Sequence, residues 1–186
     1  TLERANRQSR IVGPAYVTTD PFEYVKDIVS LGRQQERIDV TNVLSQDCVP
    51  VTVTLHATYH IDLPDGVVLG NEKFEKTHEA TLQRILLNTP DWKGHTRAAI
   101  QAATRKHCFA QELEVLLDPA KHFPLQEAIQ TDAQAASSAW NVAVSSVMLE
   151  NVQPPPEIKA ARTSMRVAAA SGAIHKQRAT DTGDAL

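Results

Sequence analysis

The chain of 186 residues is long enough for one domain with a proper core. Its 42% apolar and 22% charged content is that of a globular protein rather than a disordered one. A net charge of −3 and only 5% aromatic residues argue against nucleic acid as the main partner, because neither a basic stripe nor a platform for stacking bases is supplied. The two cysteines, Cys48 and Cys108, could pair, but they make no disulfide framework, and a reducing compartment fits them best. No run approaches the roughly 18 apolar residues of a membrane-spanning helix, and no signal peptide is visible. The chain begins at Thr1, and TLERANRQSR reads like the middle of a longer sequence, so an excised fragment is expected.

Residues 1–10 are polar and basic and read as a lead-in or frayed end. Ile11-Val12-Gly13-Pro14 reads as a short strand stopped by Gly-Pro, and Pro21-Phe22 opens another extended piece. Gln34 to Leu44 is predicted to be a strand with Ile38 and Val40 on one face, and Ser45-Gln46-Asp47-Cys48 is sized for a hairpin loop. From Val49 to Asp62 every odd position is apolar or aromatic and every even one is polar or Pro50. That period of two predicts a strand with one dry and one wet face, and a slip of one residue would turn its apolar set into water. With connections this short, the first third is predicted to be an antiparallel meander.

From Asn71 the period changes: Phe74, His78, Leu82, Ile85 and Leu86 recur at helical spacing. A second helix is predicted to start at Thr89-Pro90-Asp91, with Thr89 as its cap and Pro90 in the first turn, and to run to about His107. Its small residues Ala98, Ala99, Ala102 and Ala103 would allow close packing on the sheet. A short helix over Gln111–Leu117 is closed by Asp118-Pro119. A longer one follows from Leu125 to about Ala139, carrying Leu125, Ala128, Ile129, Ala133, Ala136 and Trp140 on one stripe. Val142 to Val152 reads as a strand whose inward parity changes at Ser145-Ser146, which predicts a β-bulge there. After Pro154-Pro155-Pro156 a final helix runs from Glu157 to about Arg178, and residues 179–186 give no reason for order. Ile158, Ala161, Met165, Ala168 and Gly172 lie on it at spacings of three and four, a thin coiled-coil-like seam and the candidate oligomerisation residues.

In this order the motifs resemble the SPFH or band 7 domain, the family of stomatin, prohibitin and flotillin. The likeness rests on Gly13-Pro14, Pro21-Phe22, the run Val43-Leu44-Ser45-Gln46-Asp47-Cys48-Val49-Pro50-Val51-Thr52-Val53, and the late aromatic Tyr59. It continues with Ala139-Trp140-Asn141-Val142-Ala143-Val144, where Asn141 stands in place of the usual Gly, and with Pro155-Pro156-Glu157-Ile158 ahead of an Ala-rich helix. The chain departs from the family by about twenty extra residues between Tyr59 and Thr104-Arg105, for which the 71–88 helix is the candidate insertion. The resemblance implies an α+β fold: a mostly antiparallel sheet with helices packed on it and a protruding C-terminal helix. The expected division is a lead-in 1–10, a domain 11–153, the start of a coiled coil 154–178 and a tail 179–186. It also implies a non-enzymatic scaffold without a cofactor, self-associating into rings or cages that organise membrane patches. The anchor and most of the coiled coil would lie outside this sequence, leaving a soluble fragment of a membrane-associated parent. An adaptor that restrains a membrane-bound protease or channel, through the 71–88 helix, is the alternative.

The residues themselves give catalysis little purchase. His56 and His60 share the wet face of one strand about 13 Å apart, too far for one metal, so a solvent-facing or subunit-contact role is expected. His78, His95, His107 and His122 lack metal-ligand spacing, and no phosphate-binding glycine loop or nucleophile elbow is present. His107 and Cys108 are adjacent and so point apart on a helix. An enzyme using His56, His60 or Cys108 would need them in a shared pocket. Asp47 is expected to bond its own turn. Lys159, Arg162, Arg166, Lys176 and Arg178 form a basic face on the final helix, expected to be solvated.

Overall fold

The computed structural model describes residues 2–4, 9–10, 23–25, 30, 32–62, 89 and 91–183, with side chains for those between 30 and 172. The expected helix at 71–88, the Ile11–Pro14 strand and the tail beyond residue 183 lie outside the described residues. The architecture is α+β, as the resemblance implies, but with two three-stranded antiparallel sheets rather than one. The small sheet contains β1 (Leu2–Arg4), β2 (Ser9–Arg10) and β3 (Glu23–Val25), with β1 in the middle. This corrects both the frayed lead-in and the simple meander. Backbone ladders need no apolar alternation, so a polar segment gives no warning that it pairs.

The main sheet is β4 (Gln34–Leu44), β5 (Pro50–Ile61) and β6 (Val142–Gln153), with β5 central. The alternation of β5 is realised: Val51, Val53, Leu55, Ala57, Tyr59 and Ile61 are all buried, while His56 faces out. Ile38 and Val40 of β4 point to the same core. The bulge in β6 forms where the parity changes, since Thr58 pairs Ser146 and Tyr59 pairs Val144, leaving Ser145 as the extra residue. A second bulge follows at Glu150, because Leu55 pairs Leu149 while Thr54 pairs Asn151. A third lies in β4 between Val40 and Val43, where Asn42 adopts φ 54. Asparagine tolerates the left-handed region better than other side-chain-bearing residues, so it takes that turn of the backbone.

The buried face of this sheet is covered by α1 (Trp92–Phe109), which packs along β4, and α3 (His122–Ser137), which packs along β6 and against α1. Between them lie α2 (Leu113–Leu116) and a 3-10 turn, Pro119–Lys121, so the helical turn of α3 begins earlier than Leu125. The cap of α1 is Asp91 rather than Thr89: its Oδ1 accepts from the Gly94 N–H at 3.1 Å. A Cβ on residue 94 would collide with that carboxylate, so glycine here makes room for the cap. The packing face of α1 is not the alanine set. Ala103 is buried, but Ala98 and Ala102 are exposed. The buried stripe runs Trp92, Thr96, Ile100, Ala103, Thr104 and Cys108. Its threonines pack because their hydroxyls donate to carbonyls one turn back, Thr96 to Trp92 at 2.8 Å and Thr104 to Ile100 at 2.7 Å. On α3 the stripe is Leu125, Ile129, Ala133 and Ser137, with Ala136 exposed. The last helix, α4 (Pro156–Gly183), runs five residues past Arg178 and is about 42 Å long.

Candidate interaction surfaces

The residues with chemical potential are dispersed. His56 Nε2 lies 3.0 Å from Glu150 Oε2, an oxygen that Arg37 Nε also approaches at 3.3 Å. His60 Nδ1 lies 3.1 Å from Ser145 Oγ. Each histidine is thus tied to the bulge residue nearest to it on β6, on the wet face. Among the described residues no group of three His, Cys, Asp or Glu side chains could hold a metal ion. His107 and Cys108 do point apart. His107 Nε2 meets Asp132 Oδ2 at 2.8 Å, and Lys106 Nζ meets the same oxygen at 2.6 Å. Hydrogen bonds from Lys106 and then His107 hold Asp132 below the usual carboxylate range. Cys108 is fully buried, and that burial pushes its thiol up to about 12, which suppresses the reactive thiolate. Cys48 is exposed, and both thiols are free.

A cleft of about 380 Å³ opens between α1, α2 and α3. Its titratable lining is His107 and Lys121, and His56, His60 and Cys108 are not part of it. Nothing in that cleft therefore gathers the three residues an enzymatic reading would use.

One end of the sheet is braced by a polar cluster that the sequence does not advertise. Tyr59 Oη donates to Glu36 Oε2 at 2.6 Å, and Arg97 Nε donates to Glu36 Oε1 at 2.6 Å. Burial, followed by the hydrogen bond to Glu36 and its charge, pushes the Tyr59 phenol well above its ordinary range, while Arg97 opposes this. Trp92 meets the Tyr59 ring edge-on at 6.0 Å, and Trp140 Nε1 donates to Thr96 Oγ1 at 3.0 Å. These contacts tie β4, β5, α1 and the turn before β6 into one block.

Two strand edges bound the main sheet, and the β6 edge is covered in part by α3. Gln134 Oε1 accepts from Val144 N–H at 2.5 Å, and Gln130 Nε2 donates to the carbonyls of Val144 and Ser145 at 3.3 and 2.9 Å. Side-chain amides thus occupy backbone groups that would otherwise invite another strand. The pair is i, i+4 on a helix and so shares a face, but only the placement of β6 beside it reveals the role.

At the far end, the β4–β5 loop folds as a turn: Ser45 N–H donates to Val49 O at 3.0 Å and Cys48 N–H to Ser45 O at 2.9 Å. Asp47 does not bond its own turn. Its Oδ2 accepts from Leu113 N–H at 2.9 Å, capping α2 from 66 residues away. A distant partner of this kind leaves no trace in local sequence.

The candidate oligomerisation residues all lie on α4. Ile158 is half-buried and packs against the core, whereas Ala161, Met165, Ala168 and Gly172 are exposed, Met165 at 72%. Val167 is 60% exposed on another face of the same rod. Of the basic face, Arg162 is not solvated but bound to Glu114 at 2.6 Å. Among the described residues no helix is long and apolar enough to cross a membrane.

The sequence profile of the SPFH domain / Band 7 family matches residues 2–181. A search of curated proteins returned no match.

Proposed function

This chain belongs to the SPFH domain / Band 7 family, and from that premise we propose that it is the oligomerising domain of a membrane-associated scaffold. The family is one of membrane-associated scaffolds. Copies of the domain stand side by side, and their C-terminal helices join into a wall that organises a patch of membrane. The anchor and the rest of the coiled coil belong to the parent chain.

The observation that carries this reading is the exposure of α4. From Thr163 to Gly172 every residue is exposed, including Met165 and Val167, on a helix long enough to stand clear of the domain. A lone helix with large apolar side chains in water has little to hold it, since most helical stability in proteins comes from packing. Its seam of Ile158, Ala161, Met165, Ala168 and Gly172 has the spacing by which helices pack against helices.

Size-exclusion chromatography with light scattering on the parent protein and on this chain tests the proposal. Large assemblies are expected from the parent, and weak association or monomers from the chain alone. A parent that stays monomeric at micromolar concentration would overturn it.

A further inference from the structure

The short helix α2 is a junction between three parts of the molecule. From one side the β4–β5 loop reaches it: Gln46 N–H donates to Gln111 O at 2.8 Å, and Asp47 caps Leu113 N–H at 2.9 Å. From the other side Arg162 of α4 donates to Glu114 Oε2 at 2.6 Å. The Arg162 side chain is 21% exposed, while every other residue from Ala161 to Gly172 is exposed. As far as Gly172, then, the contacts of α4 with the described part of the domain lie at its root, through Ile158 on the core and Arg162 one turn later. Pro154 and Pro155 precede it, and neither can donate a backbone hydrogen bond that would extend the β6 ladder into the helix.

We propose that the Glu114–Arg162 pair is a clamp that sets the direction in which α4 leaves the domain, and that Asp47 maintains it by fixing α2. The clamp goes beyond the scaffold reading. Its use in assembly rests on that reading, but the clamp itself does not. A solvent-facing ion pair contributes little to the stability of a whole domain. It matters here because rod directions that differ by a small rotation at the root bury almost the same surface, so a weak preference decides between them. The rod multiplies the effect. Ala170 lies about 21 Å along the helix from Pro156, so a swing of about 20° carries it about 7 Å sideways. Asp47 enters because Glu114 sits in the first turn of a helix only four residues long: Leu113 and Leu116 anchor that helix in the core, and the Asp47 cap on Leu113 N–H fixes how its first turn is oriented. Through this chain of contacts the exposed loop around Cys48 is joined to the rod.

The test is a pulsed electron resonance distance measurement on the 186-residue chain. Nitroxides are placed by Met148→Cys on the wet face of the sheet and Ala170→Cys on the rod, both exposed positions. Cys48→Ser removes the accessible thiol, and labelled chains are diluted into unlabelled ones. The expected result is one narrow distance. Glu114→Arg or Arg162→Glu shifts or broadens it by about 7 Å. The two exchanged together restore the narrow distance. Asp47→Ala reproduces the broadening and adds nothing to Glu114→Arg. Should a charge reversal fail to fold by circular dichroism, Arg162→Gln takes its place with the same expectation. Unchanged distances in the single variants, or no recovery on exchange, would overturn the clamp, and an unaffected Asp47→Ala would remove Asp47 from it. Light scattering on the parent addresses the scaffold reading separately, so the two cannot fail together unnoticed.

Discussion

Replacing Tyr59 with Phe removes one oxygen from the brace between sheet and helix. The ring stays: it is 2% exposed, and its edge contact with Trp92 is unaffected. The loss is a 2.6 Å hydrogen bond to Glu36. A bond to a charged group contributes about 1.5–3 kcal/mol. Arg97 remains to hold Glu36, whose side chain keeps 20% of its exposure, so the expected loss at pH 7 is about 1–2 kcal/mol. The pH dependence is the sharper signature. The folded state raises the Tyr59 phenol pKa, so it retains that proton to higher pH than the unfolded chain, where tyrosine titrates near about 10. The contribution is therefore complete below about pH 10 and is lost as pH rises above it, at up to about 1.4 kcal/mol per pH unit. Urea unfolding of both proteins at pH 7, 9, 10 and 11 measures this, and the other titrating groups cancel in the difference. The wild-type advantage should be constant to pH 9 and gone by about pH 11. Equal stabilities at pH 7, or an advantage that does not fall above pH 10, would refute the reasoning.

Other perturbations test other parts of the architecture. Asp132→Asn should lower stability at neutral pH. Because the carboxylate is held below its ordinary range, its contribution is present above about pH 4 and disappears as pH falls, so the acid limbs of the two proteins should converge when followed by circular dichroism. Substituting Gln130 and Gln134 together by Ala should cost about 1–3 kcal/mol and speed hydrogen exchange of the Val144 amide, with exchange at Val53 in the sheet centre changing less. Ile129→Ala, at a fully buried position, should lower stability by about 2–5 kcal/mol in thermal or urea unfolding. Met165→Ala should leave stability within about 0.5 kcal/mol yet shrink the assemblies that the parent forms in light scattering.

The sequence is informative wherever burial has a period. The alternation of β5 fixes its faces because a side chain and its neighbour point to opposite sides of a strand, and the stripe of Leu125, Ile129 and Ala133 on α3 follows from helical geometry in the same way. The bulge at Ser145 is legible because the inward set passes from Val142 and Val144 to Val147 and Leu149. The one at Glu150 is marked only by the single step from Leu149 to Val152, with no further inward residue to confirm the new phase, and it emerges from the strand pairing alone. Contacts between residues far apart in the chain are not legible: Asp47 with Leu113, Glu36 with Arg97, Glu114 with Arg162. Each member is an ordinary surface residue until folding supplies its partner. The alanines of α1 mislead because small residues mark where close approach is permitted, while the threonines beside them, once self-bonded, fill the interior better. The family resemblance is carried by motifs of the strands and the Trp140 turn, and the matched span of residues 2–181 agrees with it.

The two extra residues of β6 have a consequence for how this domain tolerates changes in length. The twelve residues of the strand run beside Thr52–Ile61, which is two shorter, one for each bulge. Every bulge reverses the phase of the residues after it, so the pair cancels, and Val142 and Val152 at the two ends both face the oily side. Deleting Ser145 alone would remove that bulge and leave every inward residue facing in, because Val144 would still oppose Tyr59 and Ser146 would still oppose Thr58. Deleting Ser145 and Glu150 together would leave ten residues opposite ten in a regular ladder, with Val142, Val144, Val147, Leu149 and Val152 all still inward. The strand can thus lose a residue at either bulge and keep its frame, whereas a paired residue deleted between them, such as Met148, would set Leu149 opposite His56 on the wet face.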